Sequence, residues 1–118
     1  MPSGSGRVSV DSQMSPPLKG RVFFDRRELM RILNLYGRMV GLGEWRDYAI
    51  DGLPDVAVFS VFRRASEAPL YRIEKRPGLA RKQGQWAVIN SSGHVLKRGH
   101  ELEQVLKVLD RLRLKAVD

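Results

Sequence analysis

The stretch that most constrains this chain is Val56 to Phe62, VAVFSVF. Seven residues rich in β-branched and aromatic side chains fit a pleated surface and are too few for a stable helix. Alternation places Val56, Val58, Ser60 and Phe62 on one face and Ala57, Phe59 and Val61 on the other. Both faces are mainly apolar, so the strand belongs in the interior of a sheet rather than at its edge. Turn formers follow at Ala65-Ser66-Glu67-Ala68-Pro69. Leu70 to Lys75 then returns, with Tyr71, Ile73 and Lys75 on a core-facing side and Leu70, Arg72 and Glu74 on a solvent side. The two runs read as a hairpin.

A helix precedes this hairpin. Asp25 is in N-cap position and Glu28 stands three residues later, the spacing of a capping box, with Phe24 and Leu29 placed for a hydrophobic staple. Leu29, Ile32, Leu33, Tyr36 and Val40 recur at helical spacing, and Gly41 and Gly43 end the helix. Met30, Leu35 and Met39 lie beside this stripe and widen it to more than half the circumference. A second helix is expected over 101–115, with Leu102, Val105, Leu106, Leu109 and Leu112 as its apolar stripe. Acidic residues open this helix and basic ones close it, which complements its dipole.

Between these elements, 48–50, 85–90 and 94–97 read as further strands, and 20–24 as a short first one. The expected order is β-α-β-β-β-β-β-α. The fold class is α+β, a small and mostly antiparallel sheet of five to six strands with both helices packed on one face. Residues 1–18 are rich in Ser, Gly and Pro and read as a disordered tail; 19–118 is expected to form one domain.

Charge then separates the classes of function. The formal net charge is +8, and residues 58–100 hold nine basic and two acidic side chains. Such an imbalance concentrates anionic partners, of which nucleic acid is the first candidate and an acidic protein surface the second. The candidate contacts are Arg63, Arg64, Arg72, Lys75, Arg76, Arg81, Lys82, Lys97 and Arg98. They occur mostly as pairs at strand ends, which an antiparallel sheet distributes between its two edges. Tyr71 and Trp86 are candidate surfaces for base stacking. The alternative is a protein-interaction or regulatory module, possible as a homodimer, using Met30, Leu35 and Met39 of the first helix with Trp45 and Arg46 of the EWRDYAID segment. In that segment Trp45 also suits a plug at the end of the core.

Catalysis is not expected. There is no cysteine, which excludes thiolate zinc sites, disulfides and thiol nucleophiles. His94 and His100 are six residues apart, matching neither helical nor strand ligand spacing, so no metal site or cofactor is expected. Asp47, Asp51 and Asp55 flank Gly52 and Pro54 and suit turn and cap roles. No phosphate-binding glycine loop or nucleophile elbow occurs. No apolar run approaches the ~20 residues of a membrane span and the first residues lack a signal-peptide core, so a cytoplasmic protein without membrane contact is the expectation.

The phrases LYGRMVGLGEWRDYAIDGLPDVAVFSVFRRASEAPLYRIEKRP (35–77) and GHVLKRGHELEQVL (93–106) resemble a family of small alphaproteobacterial proteins known as a domain of unknown function. The resemblance spans about residues 20–115 and implies a bacterial cytoplasmic protein. It implies no activity and no site residues.

Overall fold

The computed structural model describes residues 20–64 and 68–117. Helix α1 spans Arg26–Gly41; five strands follow, β1 (Asp47–Gly52), β2 (Ala57–Phe62), β3 (Tyr71–Lys75), β4 (Trp86–Asn90) and β5 (Val95–Gly99), and helix α2 spans Leu102–Val117. A short 3-10 helix, Pro77–Leu79, opens the β3–β4 connection. The expected tail at 1–18 lies outside the described residues, as do residues 65–67 of the hairpin turn and the side chains that close α2 beyond Leu112.

The strands form one antiparallel meander in the order β1-β2-β3-β4-β5. The architecture is α+β. β2 is an interior strand, as its two apolar faces require, and five of its six residues are buried. One face carries the row Ile50, Phe59, Ile73 and Val88. Both helices pack on this face. Ile32, Leu35 and Met39 of α1 and Leu102, Val105, Leu106 and Leu109 of α2 share the core with Phe59, Val61, Ile73, Trp86 and Val88. The other face carries Asp51, Val58, Glu74, Ala87 and Arg98 in one row and Ala49, Ser60, Arg72 and Ile89 in the next.

Local signals decide the helix starts. Asp25 caps α1 by accepting from the Glu28 amide at 2.9 Å, and Glu28 Oε1 accepts from the Asp25 amide at 2.8 Å. Phe24 stacks on Trp86 with ring centroids 6.2 Å apart, so the residue before the cap is pinned to the sheet. Gly43, with φ +78°, turns the chain from the end of α1 toward β1.

Three expectations change. Residues 20–24 form no strand; the segment is fixed by the Val22 amide, which donates to Leu53 O at 2.8 Å, and by the Arg21 guanidinium, which donates to Gly52 O. The buried side of α1 is wider than the expected stripe, whose Leu29, Leu33 and Tyr36 pack partly buried against the core, and it departs from that stripe at Val40. Ile32, Leu35 and Met39 are buried, whereas Val40 is 41% exposed and Met30 55% exposed. Leu35 and Met39 lie beside the expected stripe on the helix surface, and the sheet and α2 together cover both. Finally, Glu74 is buried rather than solvent-facing. Arg72 and Arg76 share its strand face and approach its carboxylate at 3.6 and 3.1 Å, which compensates its charge.

Candidate anion-binding interface

The nine basic candidates do not form one surface. Lys75 lies on the helix face, 14% exposed, with its ammonium 2.7 Å from Glu28 Oε1, 3.0 Å from Phe23 O and 5.9 Å from the centre of the Trp86 ring. An ammonium so enclosed has little reach toward an outside phosphate. Arg72 and Arg76 flank buried Glu74, which removes one unit from their joint charge. Arg98 donates to Gly84 O at 3.4 Å, tying the edge strand β5 to the β3–β4 connection. Arg81 and Lys82 stand exposed on that connection, and Lys97 is exposed on β5.

Arg63 and Arg64 are at the opposite end of the sheet, where β2 has just ended. The antiparallel β1–β2 pairing brings the start of β1 to the same end. The Arg46 amide donates to Phe62 O at 2.8 Å, so the segments carrying Arg46 and Arg63 stay in register contact beyond the ladder. The three exposed arginines line one cleft of about 450 Å³ with Val40, Gly43, Glu44 and Trp45. None of the three is ion-paired to a carboxylate among the described residues. Three arginines and one carboxylate, Glu44, leave the cleft lining with a net positive charge, which an oxyanion offsets through fork-shaped hydrogen bonds to guanidinium groups.

Trp45 lines this cleft and is packed into the core. It is 4% exposed, belongs to the core cluster, and its ring lies 6.2 Å from that of Tyr36. Burial pushes the Tyr36 hydroxyl above its ordinary pKa, and the nearby Asp47 and Tyr48 add to the rise. Glu44 stands on the cleft rim, the one carboxylate among its lining residues.

The sequence-based partner set is divided by the fold. Leu35, Met39 and Trp45 are core residues at 4% exposure or less, so they are not an exposed docking surface. Met30 and Arg46 are exposed. Arg46, grouped by sequence with a protein-docking segment, instead joins Arg63 and Arg64. The signal for that grouping was present: in a hairpin, the residue before one strand lies beside the residue after the other. Trp86 is 3% exposed beneath Phe24, which removes it as a stacking surface; Tyr71 is half-buried.

Among the described residues no group of three or more His, Asp or Glu side chains is arranged to hold a metal ion, and no helix is long and apolar enough to cross a membrane. His94 and His100 flank β5 at its two ends.

The family described as protein of unknown function DUF2794 matches residues 22–106. The chain belongs to this family. No curated protein and no solved structure matches it. The DUF2794 region takes in α1, all five strands and the first part of α2, and so includes every residue of the arginine cleft.

Proposed function

We propose that this DUF2794 protein is a non-catalytic binding module whose partner is nucleic acid, contacted through Arg46, Arg63 and Arg64. The observation that carries this reading is that three exposed arginines, ion-paired to no carboxylate among the described residues, line one cleft at one end of the sheet. Other basic side chains are committed internally: Arg31 to Glu103, Arg38 to Asp110, Lys75 to Glu28, and Arg72 with Arg76 to Glu74. Arg81, Lys82 and Lys97 add positive field that steers a polyanion toward the molecule without fixing its position. Phosphate contacts of this kind supply affinity with little sequence preference.

The test is a titration of labelled mixed-sequence RNA and DNA against the purified protein over ~50–300 mM salt. Three phosphate contacts predict a slope of log affinity on log salt of about −2 to −3. Replacing all three arginines by Ala should flatten most of that slope. No binding at the lowest salt would remove nucleic acid as the partner. The protein-docking alternative has lost three of its five anchors to the core and is favoured by no specific contact.

A further inference from the structure

We infer that the arginine cleft takes a single strand, with phosphates on Arg46, Arg63 and Arg64 and one unstacked base in the apolar depression beside them. This rests on the nucleic-acid reading above. The depression measures about 140 Å³ and shares Glu44, Trp45 and Arg63 with the cleft, so the two are neighbours on one surface. Its walls are chemically different from those of the cleft: Leu70, Tyr71 and Leu112 are partly buried around it, and Met39 and Leu109 form its floor. A cationic trough beside an apolar recess matches a nucleotide unit, which joins an anionic phosphate to a flat apolar-faced base.

The recess also discriminates between forms of nucleic acid. In a duplex the bases are paired inside the helix and only the backbone meets the protein, so the arginines are satisfied while the recess stays vacant. Extruding a base into it requires unpairing and unstacking. A single strand has no pairing to break and less stacking to lose, and its base gains contact with Tyr71. Trp45, 4% exposed and part of the core, lines both the recess and the cleft. Glu44 borders both halves and disfavours phosphate there, which leaves the arginine side for the backbone and the apolar side for the base.

The test compares fluorescein-labelled mixed-sequence strands with duplexes of equal length, for RNA and for DNA, by anisotropy at low and moderate salt. The expected result is single-strand affinity about tenfold or more above duplex affinity, the scale of one base–aromatic stack. Tyr71→Leu, which keeps an apolar side chain against the core, should lose most of that preference and leave duplex binding and salt slope unchanged. Leu70→Gln, a neutral change at a partly exposed position, is the second variant should Tyr71→Leu fail to fold, and it should do the same. Equal affinity for strand and duplex, with Arg63→Ala weakening both, would overturn the single-strand inference and leave the nucleic-acid reading standing. Failure to bind either form would remove both. Equal competition by poly-glutamate of matched charge would overturn the inference and reassign the cleft to acidic protein.

Discussion

Lys75 and Glu28 are 47 residues apart in the chain and 2.7 Å apart in the fold. The same Glu28 oxygen accepts the Asp25 amide at 2.8 Å. One carboxylate thus closes the capping box of α1 and anchors β3 to the start of that helix. Both side chains are less than a fifth exposed, so the pair is weakly screened by solvent.

Glu28→Ala should therefore remove a cap and leave the largely buried Lys75 without its partner. The expected loss is about 2–3 kcal/mol, above the ~1 kcal/mol of a cap alone. Urea denaturation reads this directly. Lys75→Met should cost less, because its stem still covers Trp86, and it should leave nucleic-acid affinity and salt slope unaltered. A marked loss of affinity in Lys75→Met would return that residue to the contact surface.

Arg46→Ala, Arg63→Ala and Arg64→Ala should each weaken nucleic-acid binding several-fold and flatten the salt slope by about 0.7–0.9. Arg72→Ala should do neither, since its guanidinium is engaged with Glu74. Its effect should appear as lowered stability, with Glu74 less well compensated. If Arg72→Ala changed the slope as much as Arg63→Ala, the second face of the sheet would be part of the interface.

Glu44→Gln removes the one carboxylate among the lining residues of the cleft. Affinity for a single strand should rise about two- to fivefold at low salt, the scale of one exposed charge, and the gain should fade as salt is added. Weaker binding would show that Glu44 orients an arginine rather than opposing the ligand.

Met39→Ala and Met30→Ala separate core from surface on the same helix. Met39 is 2% exposed and Met30 55% exposed. The first substitution should cost about 2–5 kcal/mol and the second under about 0.5 kcal/mol. Equal costs in thermal or urea unfolding would contradict the orientation of α1.

Gly84 and Gly93 both have positive φ, +109° and +88°. At Gly84 an added Cβ would lie 2.3 Å from the carbonyl carbon of Gly99, whereas at Gly93 it would meet nothing within 4 Å. Gly93→Ala should then cost about 1 kcal/mol for backbone strain alone. Gly84→Ala should cost at least about 2–3 kcal/mol, since it also forces two backbones apart. Matching melting temperatures for the two variants would show that the β3–β4 connection moves freely away from β5.

The legible parts of the fold were those encoded within a few residues. The capping box at Asp25 and Glu28, the two-faced apolar run before Phe62 and the stripe from Leu102 to Leu109 each carry their own geometry, because side-chain period and cap spacing are properties of one segment. The site was legible only as composition. Arg63 and Arg64 are legible as cations at a strand end, but nothing local links Arg46 to them or marks Lys75 as paired to Glu28.

What the sequence determined by itself was an α+β chain with an interior hairpin, two amphipathic helices and an excess of positive charge over residues 58–100. What only the tertiary structure decided was which charges remain available. Glu28 reaches Lys75 across 47 residues and Asp110 reaches Arg38 across 72. Such pairs form only once the sheet and helices have packed, because a Coulombic contact depends on distance in space and carries no period along the chain. The same packing leaves Arg46, Arg63 and Arg64 together around one cleft, with no carboxylate paired to them among the described residues.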